Sequence, residues 1–327
     1  MAVARQESRR DILQQWGPAR HRWSICTIHT GFFPMRLILD TNQADRIRFS
    51  YKQLPLERRP TLVIPPFVWA ELVLGSGSDA RRRALLRFDL TFGMDMSSIF
   101  DELARLNEEG IRRFIPIRKD TGDALRRIRF NFEHPTTEQR RLATKFRREA
   151  IQHRDSFGPY LAQMGKKNRD AVALAIQRGE SGPDFAKWAD ITEAEPILFT
   201  NADAPYRRWF VKEIVTDHDG NPRPIHCHSE HSLFNAVWDN HVFRRFLRAI
   251  AIVSFGYAGG VWGESQMNMP FSSGRNDETD FSLLLYAHAG DIVLTEDRIK
   301  IGLKSADVEN EIDIRSWQDW MKEQRAE

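Results

Sequence analysis

Arg36-Leu37-Ile38-Leu39-Asp40-Thr41-Asn42 opens with an apolar run and closes on an acid, a threonine and an asparagine. A run this short and this apolar reads as a buried strand of a parallel sheet, and it delivers Asp40 at the strand's carboxyl end. Open α/β sheets carry their sites at that edge. Two later stretches repeat the design. Thr61-Leu-Val-Ile64 is a second apolar run. Pro65-Pro66 then stops the strand and favours the first turn of a helix carrying Glu71. Further on, Leu283, Leu284, Tyr286 and Ala287 predict a helix closed by Gly290, and Asp291-Ile-Val-Leu-Thr295 predicts a strand. Asp280 opens that helix and Asp297 follows that strand, so a return of helix, turn and strand is expected to bring both acids to one end of the sheet.

LILDTN at 37–42, the helix FVWAEL at 67–72 and the stretch DFSLLLYAHAGDIVLTED at 280–297 resemble the PIN-domain ribonucleases, a family that includes the toxins of many bacterial toxin–antitoxin pairs. The matching segments cover roughly residues 35–75 and 275–303. The resemblance implies a three-layer α/β/α sandwich with a central parallel sheet and a metal-dependent endoribonuclease using Mg²⁺ or Mn²⁺. It implies that Asp40, Glu71, Asp280 and Asp297 are the catalytic and metal-binding acids. Thr295 matches a small hydroxyl residue common just before the last of them. RNA is the implied partner, and for toxin members an inhibitory protein is implied as well. The ordered set of four acids carries the reading, since a strand ending in Asp is common by itself.

The chemistry of the set agrees. Mg²⁺ takes oxygen ligands, keeps several waters and is held by one or two carboxylates together with substrate phosphates. Crowded carboxylates repel one another and make sense around a cation. Taken one at a time, each acid also reads as a helix cap or a solvated turn, most of all Asp280 in Glu278-Thr279-Asp280. A PIN-like module that binds RNA or protein without cutting, and a metal nuclease directed at DNA, are the alternatives to a ribonuclease.

The chain has 327 residues, 41% of them hydrophobic, with a mean hydropathy of −0.50 and a formal net charge of +3. These values fit a soluble globular protein and no membrane-spanning segment. Cys26 and Cys227 form no pattern, which fits a reducing cytoplasm. The charge is unevenly spread: Ile111 to Arg178 holds 17 Lys and Arg against 7 Asp and Glu. Within it, Leu142, Phe146 and Ala150 fall at four-residue steps beside Arg141, Lys145 and Arg148. That pattern predicts an amphipathic helix whose apolar stripe packs inward and whose three cations face RNA phosphates.

Four regions follow. Residues 1–34 read as a basic leader, dispensable for folding, with Met35 standing directly before the first strand. Residues 35–110 form the first part of a PIN-like domain, with 76–110 read as helical. Residues 111–265 form a mainly helical basic insertion, broken at Gly182-Pro183, Ala202–Pro205 and Asp217–Pro222, and 266–327 complete the PIN-like domain. His226, Cys227, His228 and His231 gather possible zinc ligands, yet adjacent positions do not converge on one tetrahedral ion and no second ligand couple exists. They are read instead as the polar entry to a helix over Leu233–Ile252.

Overall fold

In the computed structural model, which describes residues 36–75, 77–118, 122–148, 163, 167, 195–217, 219–262, 280–295 and 300–326, five strands form one all-parallel sheet. They are β1 (Arg36–Leu39), β2 (Thr61–Ile64), β3 (Asp89–Phe92), β4 (Ile292–Leu294) and β5 (Asp313–Arg315), in the order β3-β2-β1-β4-β5. The register aligns Ile38 with both Val63 and Val293, and Leu39 with Leu294. The chain thus builds outward from β1 in one direction through β2 and β3. It later returns to the other side of β1 with β4 and β5.

Parallel pairing requires crossovers, and helices supply them. In chain order they include α1 (Gln43–Ser50), α2 (Pro66–Leu74), α3 (Ser78–Leu85), α4 (Met96–Arg105), α5 (Glu108–Arg112), α6 (Gly122–Glu133) and α7 (residues 137–148). After them come α8 (Pro205–Val215), α9 (Glu230–Asp239), α10 (His241–Trp262), α11 (Lys300–Ala306) and α12 (Trp317–Ala326). Side chains alternate across the sheet, so Ile38, Val63, Val293 and Ile314 enter one core with Ile99, Phe210, Leu233 and Phe243. Leu37, Leu39, Leu62, Ile64 and Leu294 enter a second core with Ile47, Val68, Leu72, Trp317 and Trp320. Helices therefore cover both faces of the sheet. Leu37, Ile38 and Leu39 are each fully buried, and burial contributes about 1.5–3 kcal/mol per side chain of this size.

Three sequence expectations are corrected here. The 76–110 stretch is not helical throughout, because Asp89-Leu-Thr-Phe92 is the third strand, paired with β2. The helix expected after Asp280 tightens into a 3₁₀ turn over Ser282–Tyr286 that ends at Ala287, and Gly290, in the left-handed region at φ 85°, belongs instead to the separate turn that leads into β4. The single helix expected over Leu233–Ile252 is two, α9 and α10, parted at Asn240. Asn240 donates through Nδ2 to the carbonyls of Ile111 and Phe114 at 2.7 and 2.8 Å and accepts from the Val242 amide at 3.0 Å. Its side chain thereby restarts the helix at a new angle. Leader residues 1–34, Ala150 and the Gly182-Pro183 break lie outside the described residues.

Candidate metal centre and basic face

β1 is the strand at which the order of the sheet reverses direction, and in open α/β sheets the crevice at the carboxyl ends of such strands is where ligands bind. Asp40 stands there. It follows β1 directly, is 5% exposed, and its amide continues the ladder by donating to the Leu294 carbonyl at 3.2 Å. Thr295 follows β4 and is fully buried. Its Oγ1 donates to Asp40 Oδ2 at 2.8 Å, a bond across 255 residues of sequence. Because a carboxylate accepts more strongly than a neutral oxygen, this bond holds the Asp40 carboxyl in one orientation. The adjoining hydroxyl, Thr41 Oγ1, is buried with no hydrogen-bond partner among the described residues.

Glu71 is the sixth residue of α2 and is exposed, about 7–8 Å along the helix from its start behind the carboxyl end of β2. Asp280 is half-buried at the head of the turn that leads into Ser282–Tyr286. Asp297 lies outside the described residues. Among the described residues no three His, Cys, Asp or Glu side chains are grouped so as to hold a metal ion, so Asp40, Glu71 and Asp280 do not by themselves make a three-ligand cage. The donor chemistry suits a hard cation nonetheless. All three are oxygen ligands, Mg²⁺ needs only one or two of them, and a cation's bound water would satisfy the buried Thr41 hydroxyl.

One part of this end of the sheet is invisible in the sequence. The Trp317 amide donates to Gln43 Oε1 at 2.9 Å, which leaves Gln43 Nε2 to donate to Asn42 Oδ1 at 2.7 Å. An amide hydrogen only donates, so both side-chain amides have their orientation fixed and Asn42 turns its NH₂ group away from Gln43. The partners of Gln43 lie 1 and 274 residues away, and no local pattern announces the second.

Beside β3, Gly93 bridges to Ile117 in antiparallel fashion and Met94 takes the Tyr286 hydroxyl on its carbonyl at 2.9 Å. Burial, with Asp95 nearby, pushes the Tyr286 phenol well above its ordinary range.

The amphipathic helix forms as the spacing suggests. In α7, Leu142 and Phe146 pack against the second core and Ala143 is buried within it, while Arg141 and Arg148 are exposed and Lys145 is half-buried. Other cations of the basic stretch are engaged internally. Arg129 donates to the carbonyls of Leu86 and Phe88 at 2.8 and 3.1 Å, and Arg140 donates to the Val73 carbonyl at 3.3 Å. The local excess of positive charge is thus partly a scaffold of arginine-to-carbonyl bonds.

The His/Cys cluster does not converge. Cys227 is buried, with its thiol on the Leu106 carbonyl at 3.6 Å, and burial pushes its pKa up to about 11. His228 bonds Glu108 at 2.9 Å, and His231 bonds Arg207 at 2.7 Å. Ser229 then caps α9 with a reciprocal Ser232 bond, as a polar helix entry should. Comparison with protein-family models, with curated proteins and with solved structures finds no match for this chain. No helix among the described residues is long and apolar enough to cross a membrane.

Proposed function

We propose that this chain is a PIN-like, Mg²⁺- or Mn²⁺-dependent ribonuclease. The observation that carries the reading is the buried Asp40 carboxylate at the point where the sheet reverses, held by the hydroxyl of Thr295 from the next strand. Asp40, with Glu71, Asp280 and Asp297 as further oxygen donors, would hold the ion. A bound divalent ion supplies an activated water and neutralises charge on the phosphoryl oxygens. The chain's own part is to fix Asp40 through Thr295 and to gather RNA through Arg141, Lys145 and Arg148.

The test is cleavage of labelled RNA with Mg²⁺, with Mn²⁺ and with chelator, comparing the native chain with Asp40→Asn. Metal-dependent cleavage that Asp40→Asn abolishes, with RNA affinity retained, is the expected result. RNA bound but uncut under every metal condition would replace the nuclease with a binding module. Preferential cutting of single-stranded DNA in competition would redirect it to that substrate.

A further inference from the structure

Four arginines are buried among the described residues: Arg82, Arg207, Arg245 and Arg248. Three of them meet acids. Arg82 pairs with Asp79, Arg245 with Asp307 and Glu311, and Arg248 with Glu195 and Glu309. Arg207 is the exception. It is 7% exposed, and its guanidinium donates to the Thr200 carbonyl at 2.9 Å and to His231 Nδ1 at 2.7 Å, lying 5.1 Å over the Phe234 ring. Every one of these partners is neutral. A buried charge is normally paired with an opposite one, because removal from water without compensation costs several kcal/mol.

Arg207 is one of the residues lining a cavity of about 510 Å³ between α8 and the first turn of α9, within the size range of small-molecule sites. The face of α8 repeats at helical spacing: Arg208 and Lys212 supply two more cations, Val211 and Val215 an apolar wall. Glu230 is the sole carboxylate among the lining residues, so three cations leave a formal charge of +2. A guanidinium has no acceptor, so His231 Nδ1 must accept and the ring carries its hydrogen on Nε2.

We infer that this cavity is a binding site for a phosphate monoester carrying a small apolar group. Arg207 offers a planar fork matched to phosphate oxygens, held in place by Thr200 and His231 before any ligand arrives. A monoester carries about −1.5 to −2 at neutral pH, which balances the site, whereas a monocarboxylate leaves it positive. The apolar wall takes the esterified group. The site stands independently of the nuclease reading.

The test is calorimetric titration of the full chain with phenyl phosphate, with phenol as the uncharged comparison. Saturable binding of phenyl phosphate with Kd below about 1 mM, and none of phenol, is expected. Arg208 and Lys212 are exposed, so Arg208→Gln with Lys212→Gln should fold normally and weaken binding at least tenfold. Phosphate ester should raise the Tm of the native chain, and this rise should vanish in Arg207→Met. No saturable binding at about 10 mM ligand, equal binding of phenol, or unchanged affinity in the double variant overturns the assignment. A 5′-phosphorylated RNA hexamer is compared with its 5′-hydroxyl form in chelator. A preference for the phosphate that the double variant loses identifies an RNA end as the source, and no preference beside intact phenyl phosphate binding identifies a free small molecule.

Discussion

Replacing Thr295 with Val keeps the shape of a fully buried side chain and removes one atom's chemistry, the hydroxyl that donates to Asp40 at 2.8 Å. A hydrogen bond to a charged group is worth about 1.5–3 kcal/mol net, so Thr295→Val should lose about that much stability. Asp40→Asn keeps an acceptor for the same hydroxyl but makes the bond neutral, worth about 0.5–1.5 kcal/mol, while relieving the cost of a buried charge. The single change at Asp40 should therefore lie within about 1 kcal/mol of the native chain. With Asp40→Asn already made, Thr295→Val removes only the neutral bond, so the double-mutant cycle should show a coupling of about 1–1.5 kcal/mol, the difference between the charged and the neutral bond. Urea unfolding with a common m-value measures all four corners. In RNA cleavage, loss of the orienting hydroxyl should lower the rate about 10–100-fold, the usual effect of removing a group that holds a metal ligand in place. A coupling under about 0.5 kcal/mol would show that the hydroxyl does not hold the carboxylate, and Asp40 would then have no fixed orientation in which to meet a cation.

Changing Arg141, Lys145 and Arg148 together to Gln should weaken RNA binding and flatten the slope of log K against log salt by about 0.7 per lost phosphate contact; an unaltered slope makes this face mere solvated surface. Gly93→Ala should destabilise the fold by about 1–3 kcal/mol in urea unfolding, since its Cβ would sit 2.5 Å from the Tyr286 ring; native stability would mean that the ring shifts freely. The His228 amide and ring hold the Glu108 carboxyl at about 2, below its ordinary 4.5, so its stabilising contribution is full above 4.5 and fades as pH falls from there towards 2. Titration followed by NMR should find Glu108 raised part of the way back in His228→Ala, with the amide bond persisting; an unmoved Glu108 would show that the ring plays no part.

What the sequence revealed was whatever local patterning controls. β1, β2 and β4 were legible because each is an uninterrupted apolar run closed by an acid, a proline pair or a polar residue, and α7 because its apolar residues recur every four positions against arginine. β3 escaped because Asp89-Leu-Thr-Phe92 alternates over only four residues beside strongly helical neighbours, and β5 because Asp313-Ile-Arg315 has a single apolar residue. The placement of Asp40 at a strand's carboxyl end could be read in advance, whereas Thr295 was marked only by a likeness to other proteins and nothing local announced its bond to Asp40. The amide relay from Trp317 through Gln43 to Asn42, and the acid-free burial of Arg207, depend on contacts between distant segments, for which composition and spacing carry no signal.

Because β1 pairs with β2 on one side and β4 on the other, its two edges are satisfied at very different moments of the chain's synthesis. The first three strands can associate once Phe92 has emerged, leaving β1 with one edge of unpaired amides and carbonyls. At about 5–20 residues per second, the 255 residues between Asp40 and Thr295 take roughly 10–50 s to appear. Throughout that interval the nascent protein carries an open strand edge, a template for pairing with other chains, and an Asp40 without its hydroxyl. The strand that covers the second edge of β1 also delivers the Thr295 hydroxyl to Asp40, so a ribosome-bound fragment ending before β4 has neither.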